Sequence, residues 1–125
     1  MTDQEWQDLG RRAIACKHWR WVPGMAWTIP HRARKCWPAR LHSGRYPIPD
    51  GLAPIPDFRD AATGGCLLAL VREAWADAGA SVWRDHRTGL WCWMAQGAFH
   101  SVHCPGVDGY DTEAESLVAA LEAAP

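Results

Sequence analysis

Between Asp57 and Gly79 the chain reads Asp-Phe-Arg-Asp-Ala-Ala-Thr-Gly-Gly-Cys-Leu-Leu-Ala-Leu-Val-Arg-Glu-Ala-Trp-Ala-Asp-Ala-Gly, the long segment whose apolar residues recur at helical spacing. Leu67, Leu70, Val71, Ala74 and Ala78 fall on one stripe of a 3.6-residue helix, and Leu68 and Trp75 widen it. A stripe of that width is buried on more than one side, so a helix over about Asp60 to Ala78 is expected to organise the rest of the chain. Asp57 or Asp60 can accept the orphan N–H groups at its start, and Gly79 can take the left-handed conformation that ends it. Gly64 and Gly65 fall in its early turns, where each costs about 0.5–1 kcal/mol relative to Ala. A close neighbour is therefore expected there, either a sheet packed on the helix or an anion drawn to the N-terminal N–H groups. Neither G-x-x-x-x-G-K-[ST] nor G-x-G-x-x-G is present to support the anion.

On either side of this helix the pattern is α-ββ(β) before it and βββ-α after it. Thr2-x-x-Glu5 has the form of a capping box and opens a first helix to about Cys16, with Trp6, Leu9, Ala13 and Cys16 on one face. His18–Val22 and Met25–Ile29, divided by Pro23-Gly24, read as a β-hairpin. Residues His31–Tyr46 are basic and weakly periodic, and Pro38 demotes them to an edge strand or loop. The prolines from Pro47 to Pro56 make an extended connection. Ser81–Arg84, Leu90–Met94 and Ala98–His103 read as an antiparallel meander turning at Asp85–Gly89 and near Gln96-Gly97. Leu90–Met94 is apolar on both faces, which makes it central in its sheet. Thr112-x-x-Glu115 is a second capping box, and it starts a helix that buries Ala114, Leu117, Val118, Leu121 and Ala124. The expected fold class is α+β, one domain built as an α-β-α sandwich: an antiparallel sheet of about five strands with three helices on its two faces.

Charge is distributed unevenly along the chain. Residues 1–59 carry ten Lys/Arg against five Asp/Glu, and residues 60–125 carry three against nine. Between Asp8 and Asp50 lie nine basic residues, three histidines, four tryptophans and no acid. Nine tryptophans in 125 residues exceed what so small a core is expected to bury, so some should lie on a face that meets something. Arg20, Arg32, Arg34, Lys35, Arg40 and His42 with Trp21, Trp27 and Trp37 would form that face: cations for phosphate, indole rings for bases. A solvated charged face over an ordinary Trp-rich core is the competing reading.

Other chemistry is poorly supported. Cys16-x-His18, His31-x4-Cys36 and His100-x2-His103-Cys104 gather soft ligands, but their spacing is too irregular for a zinc site and no metal or other cofactor is expected. Five cysteines without a C-x-x-C pair suit reduced thiols. No nucleophile signature such as G-x-S-x-G appears, so the chain is not expected to be an enzyme. No apolar run reaches the ~18 residues that cross a bilayer, and the N-terminus lacks a charged region followed by an apolar one, so a cytosol is the expected compartment.

Two segments, Ala62-Thr-Gly-Gly-Cys-Leu-Leu-Ala-Leu-Val-Arg-Glu-Ala-Trp75 and Thr112-Glu-Ala-Glu-Ser-Leu-Val-Ala-Ala-Leu-Glu-Ala-Ala124, resemble a group of small proteins encoded by bacteriophages and prophages. The resemblance implies an α-β-α sandwich domain, a phage source, and residence in the cytoplasm of a bacterial host. It implies no site residue. Joined to the basic aromatic stretch, it yields the expectation of a counter-defence protein that captures a phosphorylated nucleotide signal, at a pocket within one subunit or shared between identical ones. The alternatives are an inhibitor docking on a host nuclease or other immune effector, and a structural phage protein with no ligand. A net charge of −1 and a pI near 6.6 argue against a long duplex track as the partner.

Overall fold

The computed structural model describes residues 1–30, 42–96 and 109–125. Three helices and five short strands follow in the order α1 (Asp3–Ala15), β1 (Ala26–Thr28), β2 (Ser43–Arg45), β3 (Ile55–Pro56), α2 (Ala61–Ala74), β4 (Ser81–Arg84), β5 (Trp91–Met94) and α3 (Glu113–Ala123). The class is α+β, as the sequence pattern implies, but the strands do not form one sheet of about five. Among the described residues they form two small antiparallel sheets, one in the order β2-β1-β3 and one pairing β4 with β5. Among the described residues no single sheet is therefore present for the helices to sandwich.

Local chemistry explains where the helices begin. Thr2 Oγ1 accepts the Glu5 N–H at 3.2 Å while the Glu5 carboxylate accepts the Thr2 N–H at 2.6 Å, the reciprocal pair of a capping box. Asp60 accepts the Thr63 N–H and starts α2; Thr112 accepts the Glu115 N–H and starts α3. In that last cap the Glu115 carboxylate takes the Thr112 hydroxyl, so the second box is only half formed. The end of α2 differs from expectation. Ala76, not Gly79, adopts positive φ, and the helix stops at Ala74, leaving Ala78 exposed beyond it.

The organising helix is α3, not α2. Six of its 11 residues are buried, Leu117, Val118, Ala120 and Leu121 completely, and it packs against α1, α2, β4 and β5. On α2, Thr63, Leu67, Leu70 and Val71 are buried while the opposite face is open to solvent. One core, made of Leu9 and Ala13 of α1, Met25, Phe58, the α2 and α3 faces and Trp93, joins the elements.

Strand partners are also redistributed. The turn at Pro23-Gly24 forms, with Gly24 at φ 99° and the Met25 N–H donating to the Val22 carbonyl at 3.2 Å. His18–Val22 is not a strand; Trp19 and Trp21 pack edge-to-face at 5.4 Å, and Trp19 meets Phe58 at 6.1 Å. β1 pairs instead with β2 and β3, and the Pro-rich connection supplies β3 as an edge strand, where a proline is tolerated. β4 and β5 pair antiparallel around the expected turn, Ser81 opposite Met94 and Arg84 opposite Trp91, and the Tyr110 bridge to Trp91 gives β5 a second neighbour. The expected strand Ala98–His103 lies outside the described residues.

Candidate functional site

The basic aromatic surface was expected where β1 and β2 now stand, so the geometry of that ladder decides what it can present. Trp27 faces Gly44 across the pair. A Cβ at Gly44 would sit 2.6 Å from the indole, so only glycine lets the ring lie across β2. Beyond this pair the Ile29 N–H and the Thr28 hydroxyl both donate to the His42 carbonyl, at 2.7 and 3.2 Å. The chain thus leaves the ladder at Ile29 and returns beside it at His42.

Below the ladder a polar network ties this sheet to α2. Arg45 donates two bonds to the Asp60 carboxylate, at 2.8 and 3.0 Å, and a third to the Gly24 carbonyl at 3.1 Å. The same carboxylate accepts the Thr63 N–H and hydroxyl, and Thr63 Oγ1 in turn accepts the Ala26 N–H at 2.7 Å. Arg45 first, and the two Thr63 donors after it, hold the Asp60 carboxyl far below the usual carboxylate range. Sequence reasoning passed over Arg45 as a site residue. Its role depends on Asp60, fifteen positions away, which no local pattern announces.

Of the nine residues assigned to the surface, four are described. Arg20 is exposed but holds Glu73 at 2.6 Å. Trp21 is half-buried against the core, and His42 is half-buried at the root of the ladder. Trp27 is a correction: at 3% exposure its ring is buried over Gly44 and offers no surface for stacking. Its Nε1–H has no partner among the described residues. Arg32, Arg34, Lys35, Trp37 and Arg40 lie outside the described residues.

The tryptophan expectation also changes. None of the eight described tryptophans is exposed. Trp93 is buried against Trp75, with ring centroids 5.6 Å apart, and the Trp75 Nε1–H donates to the Ala120 carbonyl at 2.8 Å. Trp93 belongs to the core, and Trp6, Trp19, Trp21 and Trp75 pack against it, so a core of short helices and strands absorbs more of them than composition suggests.

Much of the charge asymmetry is likewise internal. Arg12 pairs with Glu122, Arg20 with Glu73 and Arg45 with Asp60, each joining the basic half of the chain to the acidic half. Among the described residues every arginine has a carboxylate or carbonyl partner: Arg11 takes Asp8, Arg59 takes Asp57 and Asp3, Arg87 takes Asp85, and Arg72 and Arg84 take the carbonyls of Ala80 and Gly89. Residues 31–41 add four Lys/Arg and no acid, and without them the chain has nine Lys/Arg against fourteen Asp/Glu.

No group of three or more His, Cys, Asp or Glu is placed to hold a metal among the described residues; His31, Cys36, His100, His103 and Cys104 lie outside them. Nor is any helix among them long and apolar enough to cross a membrane.

A groove of about 300 Å3 lies between the first turns of α2 and α3, with Trp6, Leu68, Ala114 and Leu117 in its lining. Gly64 and Gly65 form part of its wall. Among the described residues the close neighbour expected there is absent: a Cβ built on either glycine meets nothing of them within 4 Å. Comparison with protein-family models, curated proteins and solved structures gives no match to this chain.

Proposed function

We propose that this protein works by binding rather than by catalysis, and that its contact is the cationic segment between β1 and β2, which takes a phosphorylated nucleotide. The observation that carries this reading is the contrast in charge commitment. The described arginines are engaged by partners of their own chain, whereas Arg32, Arg34, Lys35 and Arg40 come from a stretch without a single acid, on a chain otherwise five charges negative. A phosphate group needs only a few such donors, and Trp37 in the same stretch offers an indole for a base. In the setting that the phage resemblance implies, the ligand is a nucleotide signal of a bacterial host and the protein a counter-defence factor in that host's cytoplasm.

A second reading, an inhibitor that docks the same segment on an acidic host effector, is favoured by a different observation. Trp27 is buried and Trp21 half-buried, which removes stacking surface from the nucleotide site while leaving Arg and Trp suited to a protein hot spot.

Thermal unfolding against a panel of mono-, di- and cyclic nucleotides and short oligonucleotides separates the two. A ligand at a hundredfold excess over its Kd adds about 2.7 kcal/mol, and each kcal/mol moves the midpoint by roughly 4 °C. The expected result is a shift of that order for one class of compound, lost in the Arg32→Glu, Arg34→Glu double variant. A flat panel, or a shift that survives the double variant, would sink the nucleotide reading.

A further inference from the structure

We propose that the groove beside Gly64 and Gly65, with the acidic cleft next to it, is a docking surface for a Lys/Arg-bearing segment of a partner protein that inserts one large apolar side chain. The surface is built from other residues than the cationic segment and is opposite to it in charge.

The first observation concerns the glycines. A glycine within a helix destabilises it relative to alanine, and is normally explained by a positive φ or by a neighbour pressed against it. Neither applies: Gly64 and Gly65 have no positive φ, and a Cβ on either would enter open space. The missing side chains leave open a slot with the indole of Trp6 and the side chains of Leu68, Ala114 and Leu117 in its lining. Its volume, about 300 Å3, suits one bulky apolar group and little more.

The second observation is electrostatic. Glu5 and Asp111 line an adjoining cleft of about 260 Å3, while their chain neighbours Trp6 and Thr112 line the slot. Asp8 and Glu115 also face the cleft, so four carboxylates meet two cations, the Met1 α-ammonium and Arg12, and Arg12 is itself held by Glu122. Asp111 in the cleft and Glu113 at the slot have no hydrogen bond or ion pair among the described residues. Arg59, which also lines the slot, is held by Asp57 and Asp3, so the surface as a whole stays acidic: it repels phosphate and attracts a cation beside the apolar anchor. A nucleic acid or an anionic membrane is thereby disfavoured, and a basic protein segment is complementary to it in both charge and shape.

The test uses a fluorescein-labelled peptide, Ala-Lys-Arg-Trp-Lys-Arg-Ala, read by anisotropy against the full chain. Saturable binding is expected, weakening as salt is raised because the cleft is exposed. Gly65→Leu fills the slot from its own wall and replaces a helical glycine, so it should raise the thermal midpoint while weakening the peptide at least about tenfold. Asp111→Asn with Glu113→Gln should weaken it several-fold, and a peptide with Ser in place of Trp should lose most of its binding. The Arg32→Glu, Arg34→Glu variant, which tests the nucleotide reading, should bind the peptide as before. The proposal is overturned by an absence of binding up to about 1 mM peptide, by unchanged affinity in a folded Gly65→Leu protein, or by equal binding of the Ser peptide. A concentration-dependent mass in sedimentation that Gly65→Leu abolishes would assign the slot to a second copy of the chain and also overturn a separate partner.

Discussion

Helix α3 and the opening turns of α2 have similar raw material, small and aliphatic residues behind an oxygen cap, and they use it differently. α3 buries Ala114, Ser116, Leu117, Val118, Ala120 and Leu121, and touches both other helices and the β4–β5 sheet. The start of α2 instead places Ala61, Ala62 and Gly65 in solvent and leaves the space beside its two glycines unfilled. The difference lies in what each face meets. α3 passes between elements on several sides, so each position gains from filling space; the first turns of α2 are held at one end by Asp60 and border a groove at the side. A helix so exposed is free to carry residues that lower stability.

The largest effect expected from this contrast is at the hub. Leu117→Ala, at a completely buried position, should cost about 2–5 kcal/mol, read as the fall in urea midpoint. A loss below about 1 kcal/mol would mean that α3 is not the centre of the core. Next comes the anchor of α2. Asp60→Ala removes its cap and should cost about 1–2 kcal/mol, with the β2-β1-β3 sheet loosening along with the helix because Arg45 and Thr63 lose their common acceptor. Faster amide exchange at Ala26 and Thr63 would reveal that coupling, and faster exchange at Thr63 alone would refute it.

The same carboxylate sets an acid limb. Its native pKa is depressed, so its stabilisation is complete above the ordinary carboxylate range and is withdrawn as pH falls through that range toward the native value. Asp60→Asn should flatten the loss of stability below about pH 4, and an unchanged acid limb would show that other carboxyls dominate it.

A smaller effect of opposite sign is expected in the open wall. Gly65→Ala should stabilise the chain by about 0.5–1 kcal/mol, since the new methyl meets nothing; destabilisation would mean that the groove is filled in solution. The smallest change is at the other end of α2, where Arg20→Ala breaks an exposed pair with Glu73. Its cost should lie within about 0–1 kcal/mol and vanish in high salt.

Reading the chain alone located the features that depend on near neighbours. The caps at Thr2 and Thr112, the choice of Asp57 or Asp60 for α2, the buried faces of α1 and α3, the Pro23-Gly24 turn and the antiparallel pairing of β4 with β5 follow from hydrogen bonds and periodicities spanning a few residues. Tertiary structure decided the rest. It paired β1 with β2 and β3 instead of with His18–Val22, where Trp19 packs on Phe58 and Trp21 on Trp19 rather than along a strand. It buried Trp27 over Gly44 and so took one ring from the expected surface, and it spent Arg20 and Arg45 on acids from the other half of the chain. It also left Gly64 and Gly65 facing open space where composition suggested a close contact. Hydrophobicity and charge mark a residue as wanting a partner, but which partner it meets, or whether it meets one, is set by contacts between residues distant in sequence, which no local pattern encodes.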